Sequence, residues 1–207
     1  MIDTRGAAAI EPLHERLCLD FVNTSGQHPS RPDDEFLTSY AHLIEWSVYS
    51  NVLNPDEGEH LLALADQHPV EAEAALHYAV AVRETIYRAL SAAADGHEPE
   101  VSDMQAFNYI LSKAMHFLRL ASTLDEFNWA WAMNDDDLEK MLWPVIWSAS
   151  ELLTSHDRPY LRECAAEDCD WLFLDTSKNH SRRWCRMQGC GNRAKARAHY
   201  QRSREGV

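Results

Sequence analysis

The chain has 207 residues, 45% of them hydrophobic, which suits one substantial core with a small appendage and argues against a disordered or fibrous protein. Its formal net charge is -14, from 33 acids against 19 Lys and Arg, a balance that taken whole argues against nucleic acid as a partner. It opens with no charged-then-apolar leader, and no apolar run nears about 18 residues, so a cytoplasmic protein with no membrane partner is expected.

In chain order, LCLDFVNT at 17–24 reads as a short strand or a first helical turn, with Asp20, Asn23 and Thr24 tying down local backbone. Arg16, Asp20 and Asn23 are polar groups in an apolar stretch. They are candidates either for a ligand pocket that takes a small-molecule effector or for plain caps and pairs. TSGQHPSRPDD is a loop by composition. A helix is predicted over 33–50, capped by Asp33 or Asp34. Asn54-Pro55-Asp56-Glu57 starts another that runs to about Gln67. An Ala-rich helix runs from Pro69 to a stop at Asp95-Gly96, and a further one covers about 101–121. TLDEFNWAWAM at 123–133 alternates in part and suggests a hairpin. Asn134 to Asp137 cap a helix reaching about Leu153, with Pro144 causing a kink or a late start.

The aromatics Trp46, Tyr78, Phe107, Trp129, Trp131, Trp143 and Trp147 fall at helical or alternating spacing, as core residues do, although they also suit a pocket lining. No nucleotide-binding glycine motif, H-E-x-x-H or G-x-S-x-G is present. The histidines have no metal-ligand spacing, so no enzymatic activity is expected.

The charge divides sharply along the chain. Residues 1–177 hold 10 Arg and Lys against 32 acids, whereas residues 178–207 hold 9 against 1. The cysteines divide the same way. Cys18 sits in an apolar run and reads as an inert core thiol. Cys164, Cys169, Cys185 and Cys190 follow the pattern C-x4-C-x15-C-x4-C. In a reduced compartment four such thiols suit one tetrahedral structural zinc ion, with free or redox thiols as the other reading. Arg182, Arg183 and Arg186 lower the cost of gathering thiolates. WLFLD reads as a strand, TSKNHS as a turn, RRWC as the returning strand, and the chain from Gly191 onward as helix. His180 and His199 are expected outside the metal shell. A boundary is expected near 155–162.

The string RRWCRMQGCGNRAKAR closely resembles the CGNR zinc-finger proteins of bacteria, in RRWC at 182–185, Met187, CGNR at 190–193, Lys195 and Arg197. The stretch from Cys169 to Asn179 looks like the approach to that finger. LDFVNT at 19–24 resembles the opening of the ABATE domain that usually precedes it. The resemblance implies a zinc-bearing, DNA-binding end, an N-terminal regulatory or sensing domain, and transcription regulation in a stress response.

The expected fold is mainly α with short β-strands. A helical domain would occupy 1–157, and a small treble-clef-like zinc finger of β-hairpin and helix would occupy 160–204. On the finger, Lys178, Arg182, Arg183 and Arg186 are assigned to phosphates. Arg193 and Arg197, four apart on one helix face, are assigned to base edges, with Lys195, Arg202 and Arg204 alongside. Asn192 either reads adenine or braces its turn. AAED between the first two cysteines is too acidic for a loop facing phosphate. Trp184 is expected to pack the finger and Tyr200 to dock its helix on the body. One finger covers little DNA, so a homodimer on double-stranded DNA is expected. The alternative is a protein-interaction module in which the finger is a structural staple.

Overall fold

The computed structural model describes residues 16–25 and 35–205, the side chains of Ala198 and Glu205 excepted. The expected caps Asp33 and Asp34, and most of the loop before them, lie outside the described residues. The elements run α1 (Leu17–Val22), α2 (Tyr40–Tyr49), α3 (Pro55–Gln67), α4 (Pro69–Ala94), α5 (Val101–Met115), β1 (Leu118–Ser122), β2 (Phe127–Trp131), α6 (Leu142–Thr154), β3 (Leu161–Glu163), β4 (Leu172–Leu174) and α7 (Asn192–Glu205). The fold is mainly helical, with two short antiparallel strand pairs.

Local chemistry sets the helix ends. At the start of α3, the Asn54 side chain accepts from Glu57 N–H at 3.0 Å while Glu57 accepts from Asn54 N–H at 2.9 Å, so two orphan donors are satisfied reciprocally. Glu57 also receives the buried Lys140 ammonium at 3.0 Å. α4 ends where Gly96 takes a φ of +75°, and the N–H groups of Gly96 and His97 return to the carbonyls of Ala93 and Ala92. LCLDFV is helical, and all but Leu17 of it is buried.

Three expected spans change. The helix predicted from 33 starts only at Tyr40, because Ser39 is its cap and accepts from His42 N–H; Leu37 still enters the core from the preceding extended chain. The helix predicted to 121 stops at Met115, and its last apolar residues belong to β1. There Leu118 and Leu120 face Trp131 and Trp129 across the ladder, a period of two that passes for helical spacing over so few residues. Pro144 gives the late start: it lies in the first turn of α6, where its missing N–H costs nothing.

The main core lies where α1, α2, α4, α5 and α6 meet, and includes Phe21, Trp46, Ile86, Phe107 and Trp143. The small residues Ala75, Ala79 and Ala89 of α4 let its neighbours approach closely. Cys18 is fully buried there, which pushes its thiol up to about 12 and leaves it inert. Arg83, 2% exposed, reaches from α4 to Glu35 with two hydrogen bonds of 2.7 and 2.6 Å, and also contacts Glu84 and the Thr24 hydroxyl. It thereby ties Thr24 to Glu35, beside the isolated bridge between Ser25 and Glu35.

The finger begins with β3 and β4, not with β4 and RRWC as the sequence suggested. The ladder pairs Leu161 with Leu174 and Glu163 with Leu172, and residues 182–185 form no strand. Leu161, Leu172 and Leu174 face the main core. Phe173, on the opposite face, joins a second, small core with Cys164, Ala166, Cys185 and Cys190, flanked by Trp171 and Trp184.

Candidate metal centre and nucleic-acid interface

The first two cysteines sit in the connection between β3 and β4. Cys164 N–H extends the ladder by donating to Trp171 O at 2.9 Å, and Cys169 N–H closes a tight turn onto Ala166 O at 3.1 Å. Of the second pair, Cys185 precedes a π-type turn, Met187–Gly191, and Cys190 lies within it; there Gly191 N–H donates to Arg186 O at 3.0 Å. This wide turn brings Cys185 and Cys190, five apart in sequence, to one side before α7 begins. Gly191 lets the Met187 side chain fold over the turn: a Cβ at this position would lie 2.4 Å from the Met187 sulfur, so that side chain would have to move aside.

The four sulfurs all lie within 4.8 Å of one another. Cys169 and Cys185 are 3.7 Å apart and Cys185 and Cys190 3.6 Å, far beyond a disulfide bond and close to the edge of about 3.8 Å that a tetrahedron with ~2.3 Å Zn–S bonds requires. Cys164 Sγ accepts from Cys185 N–H at 3.4 Å, and Cys190 Sγ from Arg193 Nη2 at 3.2 Å. Donors aimed at sulfur favour the thiolates that a metal needs. The donor set therefore fits one zinc ion, and four sulfurs leave no open position, so the site is structural. His180 lies outside it, stacked on Tyr160 at 4.0 Å with Nδ1 3.0 Å from Asp175 O.

The cations divide into two groups. Arg182 turns inward: Nε donates to Trp184 O at 3.0 Å, Nη1 to Leu174 O at 3.2 Å and Nη2 to Cys185 O, while the guanidinium lies 4.5 Å over the Phe173 ring. Its donors thus brace the backbone around the metal centre. Asp175, 1% exposed, supports this turn by accepting from Ser177 N–H and hydroxyl and from Arg182 N–H. Burial works against its charge, but those hydrogen bonds prevail and hold the carboxyl below its usual range.

Arg193 and Arg197, the expected base readers, are likewise engaged. Asp168 Oδ2 lies 3.2 Å from Arg193 Nε and 2.8 Å from Arg197 Nη2, and Glu167 is 3.4 Å from Arg197 Nη1. Asp168 is largely covered, which opposes ionisation, yet the two guanidinium groups hold its carboxyl below the ordinary carboxylate range. Asn192 donates to Gln188 O at 3.3 Å and so braces its turn. The sequence missed Asp168 as a partner, although the acidity of AAED was its signal.

Lys178, Arg183, Lys195, Arg202 and Arg204 remain on exposed positions, and Arg186 lies half-buried over Trp171. Trp184 packs the finger as expected, whereas Tyr200 does not dock on the body: it is 64% exposed, with Arg204 over its ring. Near the N-terminus, Arg16 pairs with Asp157, Asp20 is buried, and Asn23 is spent on the finger. Its Nδ2 donates to Leu172 O at 2.9 Å and its Oδ1 accepts from Leu172 N–H at 3.0 Å. A cleft of about 430 Å³ lies elsewhere, between the start of α2 and the α3–α4 corner, and none of these three residues lines it.

Fold and sulfur cluster together define a zinc-binding protein with a helical body and a basic terminal finger. The model described as CGNR zinc finger matches residues 160–203. The ABATE model, described as "Putative stress-induced transcription regulator", matches residues 15–156. The chain belongs to the ABATE family and carries the CGNR finger at its C-terminal side. A search of curated proteins finds no match. No helix among the described residues is long and apolar enough to cross a membrane.

Proposed function

We propose that this zinc-binding, regulator-like protein is a non-catalytic DNA-binding regulator. Its finger contacts the duplex and its helical body is the regulatory part. The observation that carries this reading is α7: a 14-residue helix, exposed along nearly its whole length, bearing five Lys and Arg and a single acid at its end. A helix so exposed gains little from burial, and its composition suits a polyanion. Since Arg193 and Arg197 are held on one side, the phosphate contacts fall to Lys195 and Arg202. These are seven residues apart and lie on the opposite side at 3.6 residues per turn. Arg183 and Lys178 assist.

Two copies would give a recognition surface of useful size, since a single small module covers only about 600–1,000 Å². The cleft beside α2 is the place for a small-molecule effector. Leu62, Leu76, Asp66, Glu73 and His77 are among the residues that line it.

The test is selection from random duplexes with zinc-loaded protein, followed by affinity at two salt concentrations. One sequence should be enriched, and affinity should fall steeply with salt. Lys195→Ala should weaken binding to every duplex and reduce the log–log salt slope by about 1. Absence of both enrichment and salt dependence would leave the finger as a structural staple for protein contacts.

A further inference from the structure

The close backbone neighbour of α7 is the turn that leads into it, so the helix direction depends on what holds its flank. That flank faces the knuckle between Cys164 and Cys169. One carboxylate, that of Asp168, holds both arginines: Oδ2 accepts from Arg197 Nη2 at 2.8 Å and Oδ1 from Arg193 Nη2 at 3.5 Å, with Arg193 Nε ion-paired 3.2 Å from Oδ2, and Arg193 also donates to the metal-ligating sulfur of Cys190. Asp168 is 17% exposed, against 39% and 41% for the two arginines. This carboxylate is therefore screened by solvent far less than an ordinary surface partner. Glu167, 84% exposed and 3.4 Å from Arg197, adds little by comparison. The two arginines sit four residues apart, about 6 Å along the helix axis. A rod held at one point can swing; held at two points one turn apart, it keeps its angle.

We propose that Asp168 is a positioning residue. Its carboxylate clasps Arg193 and Arg197, fixes α7 at one angle to the metal centre, and turns the Lys195–Arg202 side outward. The mechanical part stands on geometry alone, and its consequence for sequence discrimination rests on the DNA-binding reading above. Asp168 then acts through the helix and touches no nucleic acid. Removing its charge frees two cations, so non-specific attraction rises while discrimination falls. Simple loss of a surface acid would raise affinity for all duplexes alike.

The experiment compares the zinc-loaded full chain with Asp168→Asn, Asp168→Glu and Arg197→Ala. Zinc content by metal analysis should stay at one per chain, because all four sulfurs remain. Backbone ¹⁵N relaxation should show α7 tumbling with the body in the parent and loosening in Asp168→Asn, with Asp168→Glu restoring most of the order. Against the selected and a scrambled duplex, Asp168→Asn should bind the scrambled one more tightly. The ratio of the two affinities should fall about tenfold, the scale of one lost specific contact.

Unchanged relaxation of α7 in Asp168→Asn would overturn the proposal, as would loss of zinc from it, which would make Asp168 a retainer of the metal instead. Should Asp168→Asn not fold, Arg197→Ala opens the clasp from its exposed end, and the same relaxation result decides. If the parent binds no duplex but α7 still loosens in the variant, the clasp stands and the DNA-binding reading falls alone.

Discussion

The helical body and the finger solve the same problem with different materials. In the body, Phe21, Trp46, Ile86, Leu90 and Trp143 are taken from water between packed helices, and burial organises the chain. The finger's own small core buries only Phe173 and Ala166 beside Cys164, Cys185 and Cys190. Its order comes from sulfur, from Arg182 bridging three carbonyls, and from Asp175 holding the 177–182 turn. A core of that size does not close without a metal or a neighbour, and this finger uses both.

Removing the metal tests this contrast most severely. Cys185→Ser should abolish stoichiometric zinc, as read by metal analysis. Amide exchange should become fast over 176–205, while α4 and α6 keep their protection. β3 and β4 should stay partly protected because Leu161, Leu172 and Leu174 face the body. Uniform loss of protection through α4 would erase the distinction between the two regions.

A smaller effect is expected from Arg83→Ala within the body. Glu35 and Glu84 lose their buried partner, which should cost about 3 kcal/mol in chemical denaturation, with zinc retained. Acid should do part of the same work. Glu35 is opposed by burial but held below its ordinary value near 4.5 by the hydrogen bonds and charge of Arg83. Its contribution is therefore complete above that value and lost as pH falls through the lower folded-state value. The urea midpoint of Arg83→Ala should depend less on pH across that window than the parent's. An equal dependence in both would show that Glu35 draws its stability from elsewhere.

The smallest effect concerns the joint. Asn23→Ala leaves the buried N–H and C=O of Leu172 without partners and should cost about 2 kcal/mol. Exchange should quicken at Leu172 before it does in α5. A variant as stable as the parent would mean that water serves that backbone equally well.

Legibility follows distance along the chain. The capping residues of α3, the glycine stop of α4 and the late start of α6 were readable, because each is decided within a few residues. The four thiols were readable because the cysteines fall into two closely spaced pairs with little alternative use. What was not readable required a distant partner. β3 is three residues long and too short for any periodicity; it exists because β4 lies beside it. Arg193 and Arg197 advertise charge, but their neutralising carboxylate lies 25 and 29 residues upstream. Asn23 looked like a pocket residue because its partner, the Leu172 backbone, is 149 positions away.

The two-faced hairpin has a practical corollary. The family boundary between 156 and 160 divides the chain cleanly on paper, yet three leucines beyond that line complete the oily interior before it. A finger transplanted from a relative would graft well only if its inward leucines matched the host's helices. Evolution of the pair should proceed in step, each half constraining what the other can become.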